Sequence, residues 1–192
     1  MPQLPAPLLE IGIAVFLTAV LCVSFLLLFL NRRTRSTAAL LIASALVVLG
    51  TLVVAVAPGH VPGPVALGLA VLALAASVIG GNPLIRRVLD AAGGPHIQET
   101  PDGGIVLLER NGQSAQTLLR GGTTIGYLER GSVTLAIIAG FPEAIAVIVA
   151  VKGIGRFSEL SAPEARERFI IGTLASLAWA AMLGLLVRLA MA

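Results

Sequence analysis

Ionisable side chains are scarce in this chain, and those inside apolar runs are the ones whose chemistry matters. Of 192 residues, only 23 are Asp, Glu, Lys or Arg. Glu129, Arg130, Glu143, Lys152 and Arg156 fall within or beside the apolar stretches of the C-terminal third. A charge at the centre of a membrane helix costs at least about 2.5–3.5 kcal/mol, so such residues pair, line a polar cavity or mark an ion or substrate path. A set of this kind supports a polar site formed by discontinuous helices. The plainer reading is structural. Glu129 and Arg130 would be interfacial, Lys152 and Arg156 would reach water along their aliphatic stems, and Glu143 would cap a helix or pair with a buried base.

Catalytic sets are hard to assemble from the remaining residues. A nucleophilic serine needs a histidine at the same depth, yet His60 and His96 are both expected in loops, on opposite faces of a membrane. Metal-dependent phosphotransfer needs clustered aspartates, and the chain has two, Asp90 and Asp102. The phosphate-loop pattern G-x-x-x-x-G-K-[ST] is missing, and Gly153-Ile154-Gly155 is only a fragment of G-x-G-x-x-G. The single cysteine, Cys22, excludes an internal disulfide and a cysteine-based zinc site. No catalytic residue, metal site or cofactor is therefore expected, and an enzyme is the weaker hypothesis. A net charge of +3, scattered along the chain, gives no reason to expect nucleic acid as a partner.

The elements that must position these groups follow from composition. Hydrophobic residues make up 57% of the chain and charged residues 12%, and the mean hydropathy is +0.97. Soluble domains carry about 25% charged residues. This chain cannot cover a water-facing surface, and a multi-pass membrane protein is expected, with the lipid bilayer and other membrane helices as its partners.

A helix needs about 20 apolar residues to cross the hydrocarbon layer. Leu8 to Leu30 is such a run, and Thr37 to Ala57 is a second. Val65 to Ile79 begins a third, with Pro62 and Pro64 near its start and Gly80-Gly81 read as its end. Phe169 to Leu189 is the last. The start of the chain lacks the basic residues of a signal peptide, so the first run is read as a retained anchor. Arg32, Arg33 and Arg35 follow the first span, and Arg86 and Arg87 follow the third, while the His60 loop has neither Lys nor Arg. Because basic loops stay in the cytoplasm, the N-terminus is expected outside, residues 86–130 inside, and the protein in a bacterial cytoplasmic membrane.

Residues 89–122 form a polar, turn-rich insert. Asn111-Gly112 follows the extended run Ile105 to Arg110, which is a strong hairpin signal. The turn Pro101-Asp102-Gly103-Gly104 would join His96–Thr100 to the same sheet as a three-stranded meander. Beyond it, Gly140, Pro142 and Glu143 interrupt the run from Ser132 to Val151 in the manner of one helix ending and another beginning. Two topologies compete: a straight span, or a re-entrant hairpin with Phe141-Pro142 at its tip. The hairpin keeps Lys152, Arg156, Arg166 and Arg168 on the cytoplasmic side, and the charges favour it. In the last span Gly172, Ser176, Ala180 and Gly184 recur every fourth residue, a small-residue face suited to close helix packing.

Three blocks also carry a resemblance. Ile125-Gly126-Tyr127-Leu128-Glu129-Arg130, Ala150-Val151-Lys152-Gly153-Ile154-Gly155-Arg156-Phe157 and Ile170-Ile171-Gly172-Thr173-Leu174-Ala175-Ser176 resemble the membrane segment of an uncharacterised bacterial multi-pass family with G-x-L-E-R, A-x-K-x-I-x-R-F and I-G-T-L-x-S blocks. The resemblance implies a helical membrane unit and brings no activity. The expected fold class is an all-α integral membrane protein, a polytopic bundle with a broken or re-entrant hairpin and a small β-hairpin or meander insert. Its parts are a three-helix region (1–88), the insert (89–122) and a C-terminal membrane region (123–192), with the helix–break–helix at 123–157 and the last span at 169–189. The expected function is a non-enzymatic interaction or scaffold component of a membrane complex. The alternative is a small transporter or channel component with its polar site at the broken helix around Glu143.

Overall fold

A long apolar segment can satisfy its backbone groups only within itself, so it coils. α1 (Ala6–Thr34), α2 (Thr37–Val56), α3 (Gly63–Ala91) and α6 (Pro163–Met191) form in this way, and each holds a stretch long and apolar enough to cross a membrane. This is the mark of a multi-pass membrane protein. The structure, a computed structural model, describes residues 6–34, 36–57, 60–92, 97–99, 105–107, 116–117, 122–155 and 163–192. Ser36 caps α2 by accepting from the Ala39 amide at 3.4 Å. Pro64 falls in the first turn of α3, where its missing amide proton costs nothing.

These four helices close a square. α1 packs on α2 and α3, and α6 packs on the same two from the opposite corner. Leu17, Leu21, Val47, Ala73, Leu183 and Leu186 are fully buried between them. Small residues bring the backbones close: a Cβ on Gly50 would lie 3.2 Å from Leu186 and 3.3 Å from Val20. The Val61 amide donates to the Ala190 carbonyl at 2.9 Å, and His60 bonds the carbonyl oxygen of Ala192. The start of α3 and the end of α6 therefore share one end of the bundle, and Arg86 and Arg168 line a cavity at the other.

α4 (Gly122–Ile138) lies in the outer groove between α3 and α6, and α5 (Ala144–Gly155) turns back along α4. The turn has a physical signature. Gly140 has φ +77°, its amide bonds the Ile137 carbonyl at 3.0 Å, and the Phe141 amide bonds the Ala136 carbonyl at 2.8 Å. That pair of bonds is a Schellman cap, which needs a left-handed residue where glycine carries no Cβ penalty. The hairpin is deep. A Cβ on Gly140 would lie 3.0 Å from the Arg188 guanidinium, so the tip sits level with the last turn of α6. The break at Gly140–Glu143 is thus near one end of the bundle, not mid-span, because seventeen residues of α4 precede it.

Two expectations are corrected. Gly80-Gly81 does not end α3, which continues through both glycines and Pro83 to Ala91. Leu28 and Arg130 press onto the two glycines, so tertiary packing outweighs the roughly 1 kcal/mol by which each glycine disfavours a helix. The expected fold class is corrected as well. The folded body is all-helical, and the β-hairpin or meander insert is not an element of it. Strand pairing amounts to β1 (Ile97–Glu99), β2 (Ile105–Leu107) and β3 (Gln116–Thr117), antiparallel in that order. Among the described residues these strands touch only each other. Strands two or three residues long bury too little to make a layer.

Candidate functional site

The polar residues of the hairpin converge at one place. Arg130 is 1% exposed, on the face of α4 that meets α3. Its Nη2 donates to the Val78 carbonyl at 2.9 Å and to Asn82 Oδ1 at 2.7 Å. Room for the side chain is made by absent atoms: a Cβ on Gly81 would overlap its Nε, and one on Gly126 would lie 3.2 Å from its Nη1. The Tyr127 ring lies under the guanidinium, 5.6 Å from centroid to Cζ. Arg130 is thus clamped by α3 and α4, with donors to spare.

Glu129, its neighbour, is also buried. Lys152 of α5 donates to Glu129 Oε2 at 2.5 Å, with the lysine side chain 16% exposed and the glutamate 3%. The lysine nitrogen also stands 5.4 Å from the Phe169 ring of α6. No residue of α5 is buried, and among the described residues its backbone comes close to α4 and to no other helix. The ion pair is accordingly a main fastening of α5 to the bundle. It also places Glu129 and Lys152 at one depth, which is the hairpin arrangement and not the straight span.

Beside these groups is a cavity of about 150 Å³, walled by α3, α4 and α6. Six buried side-chain polar atoms lack a hydrogen-bond partner among the described residues, and four of them belong to residues that line this cavity: Glu129 Oε1, Arg130 Nε, Thr173 Oγ1 and Ser176 Oγ. Buried polar atoms are normally satisfied, and each orphan costs about 1–3 kcal/mol. Four of the six are thus gathered on the residues around one cavity. Residues from three separate stretches of sequence line it, Glu129 and Arg130 from 125–130, Lys152 from 150–157, and Gly172, Thr173 and Ser176 from 170–176.

The other residues singled out by sequence fall elsewhere. Glu143 is exposed at the hairpin tip, apart from the cluster of Glu129, Arg130 and Lys152, and its carboxylate meets no partner among the described residues. Arg156 lies outside the described residues. The stripe of Gly172, Ser176, Ala180 and Gly184 faces α3 and α4 of the same chain. The Ala180 carbonyl accepts from Thr134 Oγ1 at 3.2 Å, and a Cβ on Gly184 would lie 2.9 Å from Ile137 and 3.1 Å from the Thr134 carbonyl. Thr134 Oγ1 is also 2.8 Å from Ser77 Oγ. Sequence reading missed Asn82, Thr173 and Ser176 as site groups. The carboxamide of Asn82, embedded among Gly80, Gly81 and Pro83, was the available signal.

Compared with known protein families, characterised proteins and solved structures, the chain matches none.

Proposed function

We propose that this protein is a non-enzymatic component of a membrane complex that binds a small polar ligand in the cavity between α3, α4 and α6. One observation carries the reading: four unpartnered buried polar atoms belong to residues that line a single cavity of about 150 Å³. A purely structural helix hairpin gains nothing from such atoms, since each could be replaced by an apolar group that packs better. The cavity lies at the end of the bundle that carries Arg86 and Arg168. The concentration of arginines in the segments at that end supports a cytoplasmic orientation for it.

Native mass spectrometry of the full chain, released from membranes in nanodiscs, tests the reading. A bound non-protein mass is expected on the natural sequence and is lost when Ser176→Leu fills the cavity. A bare protein mass in both forms, or a bound mass indifferent to the substitution, overturns it.

A second reading rests on a different feature. Val147, Val149, Val151 and Ile154 leave α5 with an exposed apolar surface and no buried residue. That surface supports a scaffold role, with a helix of a partner protein or of a second copy laid against α5. Cross-linking from cysteines at Val147 and Val151 within native membranes would find that helix, and labelling by lipid probes alone would dismiss it.

A further inference from the structure

We infer that the cavity is a phosphate site, taking the monoanionic form of inorganic phosphate or of a phosphomonoester head group. The inference rests on the ligand-binding reading above and names its chemistry. Consider what the orphaned atoms require. Arg130 Nε–H can only donate, while the Thr173 and Ser176 hydroxyls can donate or accept. Together they call for several acceptor oxygens on one small group. Glu129 Oε1 can only accept when ionised, so the same group must also present a donor to it.

A phosphate with one acidic hydroxyl meets both demands. Its unprotonated oxygens accept from the arginine and the two hydroxyls, and its P–OH donates to Glu129 Oε1. A simple carboxylate has acceptors but no donor to offer Glu129 Oε1. A hard metal cation needs several oxygen ligands, and here a single carboxylate is outnumbered by basic groups. Arg86, Lys152 and Arg168, each with interactions of its own, also line the cavity and raise its positive potential. An arginine held in one orientation suits phosphate oxygens better than a flexible ammonium does. The walls have a second character: Ile85, Leu89, Ile125 and Phe169 line the cavity too, an apolar border against which the ester substituent of a lipid would lie.

The experiment measures thermal unfolding of the full chain in phosphatidylcholine nanodiscs. One arm titrates inorganic phosphate, and another replaces part of the lipid with phosphatidic acid. At about a hundredfold excess over the dissociation constant, a bound ligand raises the midpoint by about 5–10 °C for a chain of this size. A rise in both arms identifies the phosphate group itself as the ligand, and a rise with phosphatidic acid alone identifies the lipid head group. Ser176→Ala, which removes one hydroxyl without adding bulk, is expected to weaken binding about fivefold. Arg130→Lys, which keeps the charge but loses the fixed Nε–H, is expected to weaken it more than tenfold.

No shift in either arm, or a shift indifferent to both substitutions, overturns the phosphate assignment. The broader reading is judged separately, because a bound mass that Ser176→Leu removes would preserve the pocket while phosphate fails.

Discussion

The square of α1, α2, α3 and α6 and the hairpin of α4 and α5 are built on opposite principles. In the square the interior is mostly aliphatic, and most hydroxyl bonds of α1 and α2 are local: Thr18 donates to the Ala14 carbonyl at 2.7 Å and Thr51 to Val47 at 2.8 Å, while Ser24 reaches from α1 to the Ala43 carbonyl of α2 at 3.4 Å. The first two belong to one helix and specify nothing beyond it. In the hairpin the buried groups are charged and reach across helices, from Arg130 to Asn82 and from Lys152 to Glu129. Meanwhile α5 turns aliphatic side chains outward. Packing explains most of the first region. The second keeps buried charges at a cost in stability, and it is there, against α3 and α6, that the proposed site lies.

Substitutions can break or sharpen that contrast. The largest effect is expected from Lys152→Met, which strands a buried carboxylate and should cost about 3–5 kcal/mol. Hydrogen exchange would show α5 opening while the square stays protected, and adding Glu129→Gln should restore most of the loss. Loss of protection throughout the bundle would mean that the two regions are one cooperative unit.

The adjacent glycines of α3 offer a finer comparison, because each serves a different region. Gly81→Ala drives a methyl into Arg130 and is expected to cost about 1–3 kcal/mol together with ligand binding. Gly80→Ala meets Leu28 Cδ1 at 2.5 Å, a flexible end that can shift, so a smaller loss is expected with binding intact. Equal effects on binding would erase the distinction. Gly184→Ala, which presses on Ile137 and the Thr134 carbonyl, should loosen α4 from α6 by about 1 kcal/mol, read from unfolding in detergent. The smallest effect belongs to Glu143→Gln. That side chain is exposed and outside the cavity, so stability should change by less than about 0.5 kcal/mol and ligand binding not at all.

Much of this was legible in the sequence where a single physical constraint dominates. Bilayer thickness alone identifies the long apolar helices, and Gly140-Phe141-Pro142 announces the turn because few residues tolerate a positive φ. Glu129, Arg130 and Lys152 stood out because charge within an apolar run has to be accommodated. Illegible was anything set by the third dimension. Gly80-Gly81 reads as a helix end in one dimension and as a contact surface once Leu28 and Arg130 lie on it. Ser132 looked like the start of a span, whereas α4 begins ten residues earlier at Gly122 and carries the break to the far end of the bundle. The strand signals between 97 and 117 are local, and local pairing says nothing about whether a layer has anything to cover. Thr173 and Ser176 resemble any small polar residue of a membrane helix until their hydroxyls are found buried without partners beside a cavity.

The Gly140 turn has a mechanical implication. α5 meets the rest of the molecule along a single seam, so it behaves as a lever whose fulcrum is that turn. Lys152 is eight positions beyond Ala144, an arm of about 12 Å, and a tilt of about 5° would swing its ammonium by about 1 Å. A displacement of that size stretches a contact of 2.5 Å to about 3.5 Å, beyond the ordinary length of a charge-assisted hydrogen bond. Angular precision at a backbone corner near one end of the bundle therefore sets how tightly an electrostatic latch closes most of a helix length away.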